Sequence, residues 1–125
     1  MTAQTANARD ERDSPAGPGS YLLIESKGNW AGPTAGAFLR DAVVLAEAGH
    51  RVRVFLVEDG VFSAVGTAVA EIERLAALGA EVLVDDFSAA QRALGATTLS
   101  PHASLVGMDV IAAALAEDDC RGVWH

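Results

Sequence analysis

The sequence predicts an α/β domain, a three-layer α/β/α arrangement built on about five mostly parallel strands. Three observations predict it. Short apolar runs rich in β-branched residues recur along the chain, as in Val52–Val57 and Val82–Val84, and buried parallel strands read this way. Segments with apolar residues at helical spacing separate them, such as Phe38, Ala42 and Leu45. Glycines stand where those helices should stop, at Gly49 and Gly79.

In order, residues 1–19 read as a flexible tail and residues 20–125 as one domain. The tail is rich in Ala, Thr, Ser, Pro, Gly and charge and has too little apolar surface to offset the entropy of ordering. Tyr21–Ser26 is the first strand, and the loop Lys27–Gly36 leads to a helix over Ala35–Ala48 with Thr34 as its N-cap. The second strand, Arg51–Val57, alternates Arg-Val-Arg-Val before turning wholly apolar, the pattern of an edge strand. Val65–Leu78 reads as the second helix, with Val65, Val69, Ile72 and Leu75 or Ala76 inward. Glu81–Val84 is the third strand, and Ser88 with Gln91 forms a capping box opening a helix over about Ala89–Leu94. Ser104–Val106 is a short fourth strand. A fourth helix places Met108, Ile111, Ala112 and Leu115 on one buried face, and Glu117–Asp119 closes it with charge of the wrong sign for the helix dipole, so fraying is expected. Arg121–Trp124 is the terminal strand.

Composition excludes several functions. The chain has 125 residues and a formal charge of −8, from 17 acidic against 9 basic side chains, with a single lysine. A nucleic-acid partner requires a basic patch, and none is present. A single cysteine, Cys120, rules out an internal disulfide or a cysteine zinc cluster and fits a reducing cytoplasm. No run is long and apolar enough to span a bilayer, so no membrane partner is expected.

The spacing suits a flavodoxin-like strand order, 2-1-3-4-5, with a switch point between strands one and three, where open α/β sheets bind their ligands. That order would bring Lys27, Asn29 and Trp30 beside Asp85, Asp86 and Ser88, with Asp59 nearby. These are the candidate ligand-binding residues. Asp85 and Asp86 suit a shared proton or a metal, or simply favour a helix N-terminus. No other His, Asp or Glu spacing supports a metal site, and no metal or cofactor is expected. Lys27 suits an anionic ligand or a solvated loop, and Trp30 a ligand cover or an oligomer contact. The loop KGNWAGPTAG matches neither common phosphate-binding glycine pattern. Cys120, beside Glu117, Asp118 and Asp119, reads as an inert thiol disfavoured as a thiolate.

Three blocks, LAEAGHRVRVFLVEDGVFSA (Leu45–Ala64), LGAEVLVDDFSAAQRAL (Leu78–Leu94) and SLVGMDVIAAALAEDDCRGVW (Ser104–Trp124), together with Tyr21–Ser26 and its Gly-rich loop, carry a resemblance. The chain resembles the DsrE/DsrF-like proteins of sulfur relay, which include the TusB, TusC and TusD subunits, over about Tyr21–Trp124. The resemblance implies a small flavodoxin-like domain that assembles into trimers or hexamers and, in active members, carries a persulfide on a cysteine after strand three. Laying Arg92 on the family's basic residue in helix three puts Asp85 at that cysteine's position. A carboxylate cannot carry sulfane sulfur, which needs a polarisable thiolate.

The expected function is therefore a non-catalytic DsrE-like assembly or binding module. The partners implied are further copies in a homo-oligomer, or other DsrE-like subunits in a hetero-oligomer. Val61, Phe62, Val65 and Trp30 are the expected uncovered patch. The alternatives are a sulfur carrier using Cys120 or a partner's cysteine and, by fold analogy alone, a flavin or phosphate-ligand binder.

Overall fold

The computed structural model describes residues 19–125, so residues 1–18 of the expected tail lie outside the described residues. Gly19 is already tied to the fold, since its carbonyl accepts from Arg51 N–H at 3.0 Å and its N–H donates to His50 Nδ1 at 2.9 Å. The elements are β1 (Ser20–Glu25), α1 (Pro33–Glu47), β2 (Arg51–Leu56), α2 (Ala70–Ala77), β3 (Glu81–Asp85), α3 (Asp86–Gln91), β4 (Ala103–Val106), α4 (Met108–Leu115) and β5 (Cys120–Trp124). Two 3-10 turns, Asn29–Ala31 and Glu58–Ala64, follow β1 and β2.

The five strands form one parallel sheet in the order β4-β3-β2-β1-β5. The fold is the expected three-layer α/β class, but the strand order is not 2-1-3-4-5. After β1 the chain steps outward through β2, β3 and β4, then crosses back so that β5 pairs with the far side of β1 (Ser20 opposite Cys120, Ile24 opposite Trp124). The switch point therefore lies between β1 and β5. It also follows that β2 is a central strand and not an edge.

The helical layers are unequal. Leu23, Val52, Val54, Leu56, Val82 and Val84 pack on one face with Leu39 and Ala42 of α1, Ile72 and Leu75 of α2 and Ala89 of α3. On the other face Leu22, Ile24, Phe55, Val57 and Leu83 pack with Ile111 and Ala114 of α4, bordered by Val106 and Cys120. A single helix lies on this face, and Met108 (53% exposed), Leu115 (47%) and Trp124 (68%) stay open to solvent. The inward face of α4 is thus Ile111 with Ala114; Met108, Ala112 and Leu115 are exposed.

Helix boundaries differ for local reasons. Gly32 is the N-cap of α1 and Pro33 its first residue, where a proline's missing N–H costs nothing, so Thr34 is not the cap. The second helix begins at Ala70, five residues later than expected. Gly66 takes a φ of +60° and Val65 bridges to Leu99, which holds this segment in a turn. Gly49 (φ +93°) and Gly79 (φ +83°) do stop α1 and α2 in the left-handed conformation.

Candidate functional site

At the end of β3, Asp85 is the N-cap of α3 in extended conformation. Its Oδ2 accepts the Ser88 N–H at 3.0 Å and the Ser88 hydroxyl at 2.6 Å. Ser88 is therefore the capped partner and not the cap. Ser88 Oγ accepts in turn from Glu58 N–H at 2.9 Å. Glu58 sits at φ 54°, a left-handed conformation that costs a non-glycine residue of order 1–2 kcal/mol. The Arg92 guanidinium donates to Asp59 Oδ1 at 3.1 and 3.0 Å and to the Ser88 carbonyl at 3.2 Å. The structure thus brings Asp59, Asp85 and Ser88 together and adds Glu58 and Arg92 to them.

Asp85 is 4% exposed, whereas Asp86 is exposed on the first turn of α3, where its charge complements the helix dipole. The adjacent aspartates therefore have separate environments. Among the described residues, no group of three or more His, Cys, Asp or Glu is arranged to hold a metal ion.

Lys27, Asn29 and Trp30 lie apart from Asp85, because β2 stands between β1 and β3. Trp30 fills its own loop: a Cβ on Gly28 would come within 2.5–2.7 Å of the indole ring. The ring also meets Phe62 edge-on, with centroids 5.1 Å apart, which links the Lys27–Trp30 loop to the Glu58–Ala64 turn. Val61 is fully buried, so of the expected apolar patch Trp30 is the large exposed member.

Sequence reasoning missed the residues at the true switch point. Glu25, the last residue of β1, is fully buried. Both its carboxylate oxygens accept from His125 Nδ1, at 2.9 and 3.1 Å, and Oε2 also accepts from Lys27 N–H at 2.8 Å. His125 stacks on Phe38 of α1, with centroids 5.1 Å apart and 21° between planes. The available signal was Glu25 itself, a carboxylate ending an otherwise apolar strand, which must find donors when buried.

A second polar cluster occupies the amino edge of the sheet. The Arg53 side chain, 7% exposed, donates to Glu117 Oε2 at 3.1 Å and Oε1 at 2.8 Å, and Nη2 also reaches Ser20 Oγ (3.3 Å) and Cys120 Sγ (3.5 Å). These hydrogen bonds hold the Glu117 carboxyl below the usual carboxylate range and raise Arg53 further above its ordinary value. Glu117 does not fray away after α4; the arginine clamps it. Cys120 Sγ thus has a guanidinium within 3.5 Å, which the acidic run in the sequence did not suggest.

No protein-family model and no curated protein matches the chain. Among solved structures it is similar to the ychN protein from E. coli, at 17% identity and a TM-score of 0.73, over 83% of this chain and 98% of that one. That likeness describes the fold.

Proposed function

We propose that the chain is a DsrE-like protein related to sulfur relay that serves as a non-catalytic assembly module. The observation that carries this reading is Asp85. It stands where the resemblance puts the sulfur-bearing cysteine, it is buried, and its carboxylate is engaged as the cap of α3. Support for assembly comes from the face covered by a single helix, where Leu115 of α4 lies against β5 at Gly122, Met108 shares its flank of the helix and Trp124 of β5 is exposed. Apolar side chains grouped in this way mark interaction surfaces. The occupant proposed is another copy of this chain in a trimer or hexamer, and a cysteine-bearing DsrE-like subunit is the hetero-oligomeric form of the same idea.

The test of the sulfur half is loading from a cysteine desulfurase with cysteine, or from polysulfide, followed by intact mass measurement. Wild type should gain little sulfur. Asp85→Cys in a Cys120→Ser background should gain a reducible adduct, because the start of α3 favours a thiolate. Failure of that variant to load while folded would remove Asp85 from the acceptor position.

The Arg53 guanidinium 3.5 Å from Cys120 Sγ favours one second reading, in which Cys120 itself carries sulfur. Efficient loading of wild type that disappears in Cys120→Ser would establish it.

A further inference from the structure

The carboxyl ends of β1 and β5 hold a polar arrangement that assembly does not require. His125 is fixed in three ways. Its N–H donates to the Ile24 carbonyl at 2.8 Å and its carbonyl accepts from Ser26 N–H at 2.9 Å, its ring stacks on Phe38, and Nδ1 is held by Glu25. With Nδ1–H donated to a carboxylate, a neutral imidazole carries its lone pair on Nε2. Nε2 has no hydrogen-bond partner among the described residues, and the side chain remains 26% exposed. The other two histidines differ. His50 accepts through Nδ1 from Gly19 N–H, and His102 meets Glu73 only through Nε2, at 3.3 Å with both side chains exposed.

A fully buried carboxylate contributes little to stability that an apolar residue of similar volume would not match. A carboxylate behind an imidazole, however, sets the tautomer, aims the ring and stabilises the imidazolium formed when Nε2 takes a proton. Bound metal is the other common use of such a ring, and the described residues offer no further ligands for one.

We propose that Glu25 and His125 form a proton-transfer dyad at the carboxyl ends of β1 and β5, in which His125 Nε2 accepts the proton of a thiol brought to the exposed edge of its ring. In the step, the S–H bond breaks, its electron pair stays on sulfur, and the proton binds Nε2; nothing is oxidised or reduced. Imidazole chemistry selects the thiol. A thiol is a far stronger acid than an aliphatic hydroxyl and gives its proton to an imidazole more readily. The chain's own thiol is not the substrate, since Cys120 opens β5 and His125 follows its end. The thiol comes from a small molecule or from another chain. Glu25 is the positioning residue. The dyad stands independently of the assembly reading and of the role given to Asp85.

The experiment is imidazole 1H–15N correlation spectroscopy on the 15N-labelled protein at neutral pH. His125 should be protonated on Nδ1 and His50 on Nε2. Adding 2-mercaptoethanol should move the His125 Nε2 resonance toward its imidazolium position, while ethylene glycol should not; a capped cysteine tripeptide against its serine counterpart forms the second arm. A response to either thiol supports the dyad, and the arm that responds identifies the source. Protonation of His125 on Nε2, no response to either thiol, or equal responses to thiol and hydroxyl compounds would overturn it. In Glu25→Gln the response should be lost. Should that buried substitution prevent folding, His125→Gln serves instead: the thiol-induced shifts of the Ser26 and Lys27 amides should vanish from an otherwise native spectrum, and their persistence would count against the dyad.

Discussion

The carboxylate of Asp85 takes both donors of Ser88, the backbone N–H at 3.0 Å and the hydroxyl at 2.6 Å, and through Ser88 Oγ it also orders Glu58. One acidic side chain thus joins the end of β3, the start of α3 and the turn after β2. Where the proposed reading looks for a sulfur nucleophile, this residue does structural work instead.

Asp85→Ala should therefore destabilise the protein by about 2 kcal/mol, the loss of a helix cap together with a buried hydroxyl left short of a partner. Asp85→Asn, which keeps an acceptor oxygen, should cost less. Urea unfolding monitored by circular dichroism gives both values. A neutral or stabilising Asp85→Ala would mean that the carboxylate is held for a ligand at the expense of stability.

The Arg53–Glu117 pair predicts a pH dependence. The Arg53 hydrogen bonds lower the folded-state value of Glu117 below its ordinary 4.5. The folded state then binds the proton less readily than the unfolded chain. The pair's contribution is fully present above about pH 4.5 and is lost as pH falls through the lowered folded-state value. Glu117→Gln should flatten that part of the stability profile. Glu117→Gln should also lower the melting temperature more than Arg53→Met, because it leaves a buried guanidinium unpaired whereas Arg53→Met removes the buried charge. The reverse ranking would show that burial of Arg53 is sustained by groups other than Glu117.

Gly60 allows the Glu58–Ala64 turn to pass over β1. A Cβ there would collide with the Glu25 carbonyl, which is backbone and cannot swing aside and which already accepts from Val57 N–H at 3.0 Å. Gly60→Ala should cost about 1–3 kcal/mol, the range for overpacking a well-filled site. Gly122→Ala should cost less, since its Cβ would meet only the movable tip of Leu115 at 2.8 Å. Thermal melts of the two variants make the comparison, and equal effects would contradict the close backbone approach.

Local features of this fold were legible in the sequence, and those fixed by distant partners were not. The β-branched runs of β2 and β3 and the glycine stops at Gly49 and Gly79 are set by neighbouring residues, and the structure has them where the sequence put them. The Arg-Val-Arg-Val alternation suggested a solvated edge because nothing near Arg53 could neutralise it. Its partner is Glu117, 64 residues away. Val65 and Val69 fit a helical stripe, yet the φ of +60° at Gly66 and the bridge to Leu99 decide the segment. The strand order eluded sequence reading because alternating strands and helices are compatible with several parallel orders. That one difference puts the partner of β1 at the switch point as β5 and not β3, and with it Glu25 and His125, which stand 100 residues apart.

The assembly claim is tested most directly by native mass spectrometry of the purified full chain at micromolar concentration. A trimer or hexamer is expected, converted to monomer by Leu115→Glu on the exposed face of α4 with secondary structure retained. A wild-type protein that is monomeric under those conditions, alone and with cysteine-bearing DsrE-like subunits present, would contradict it.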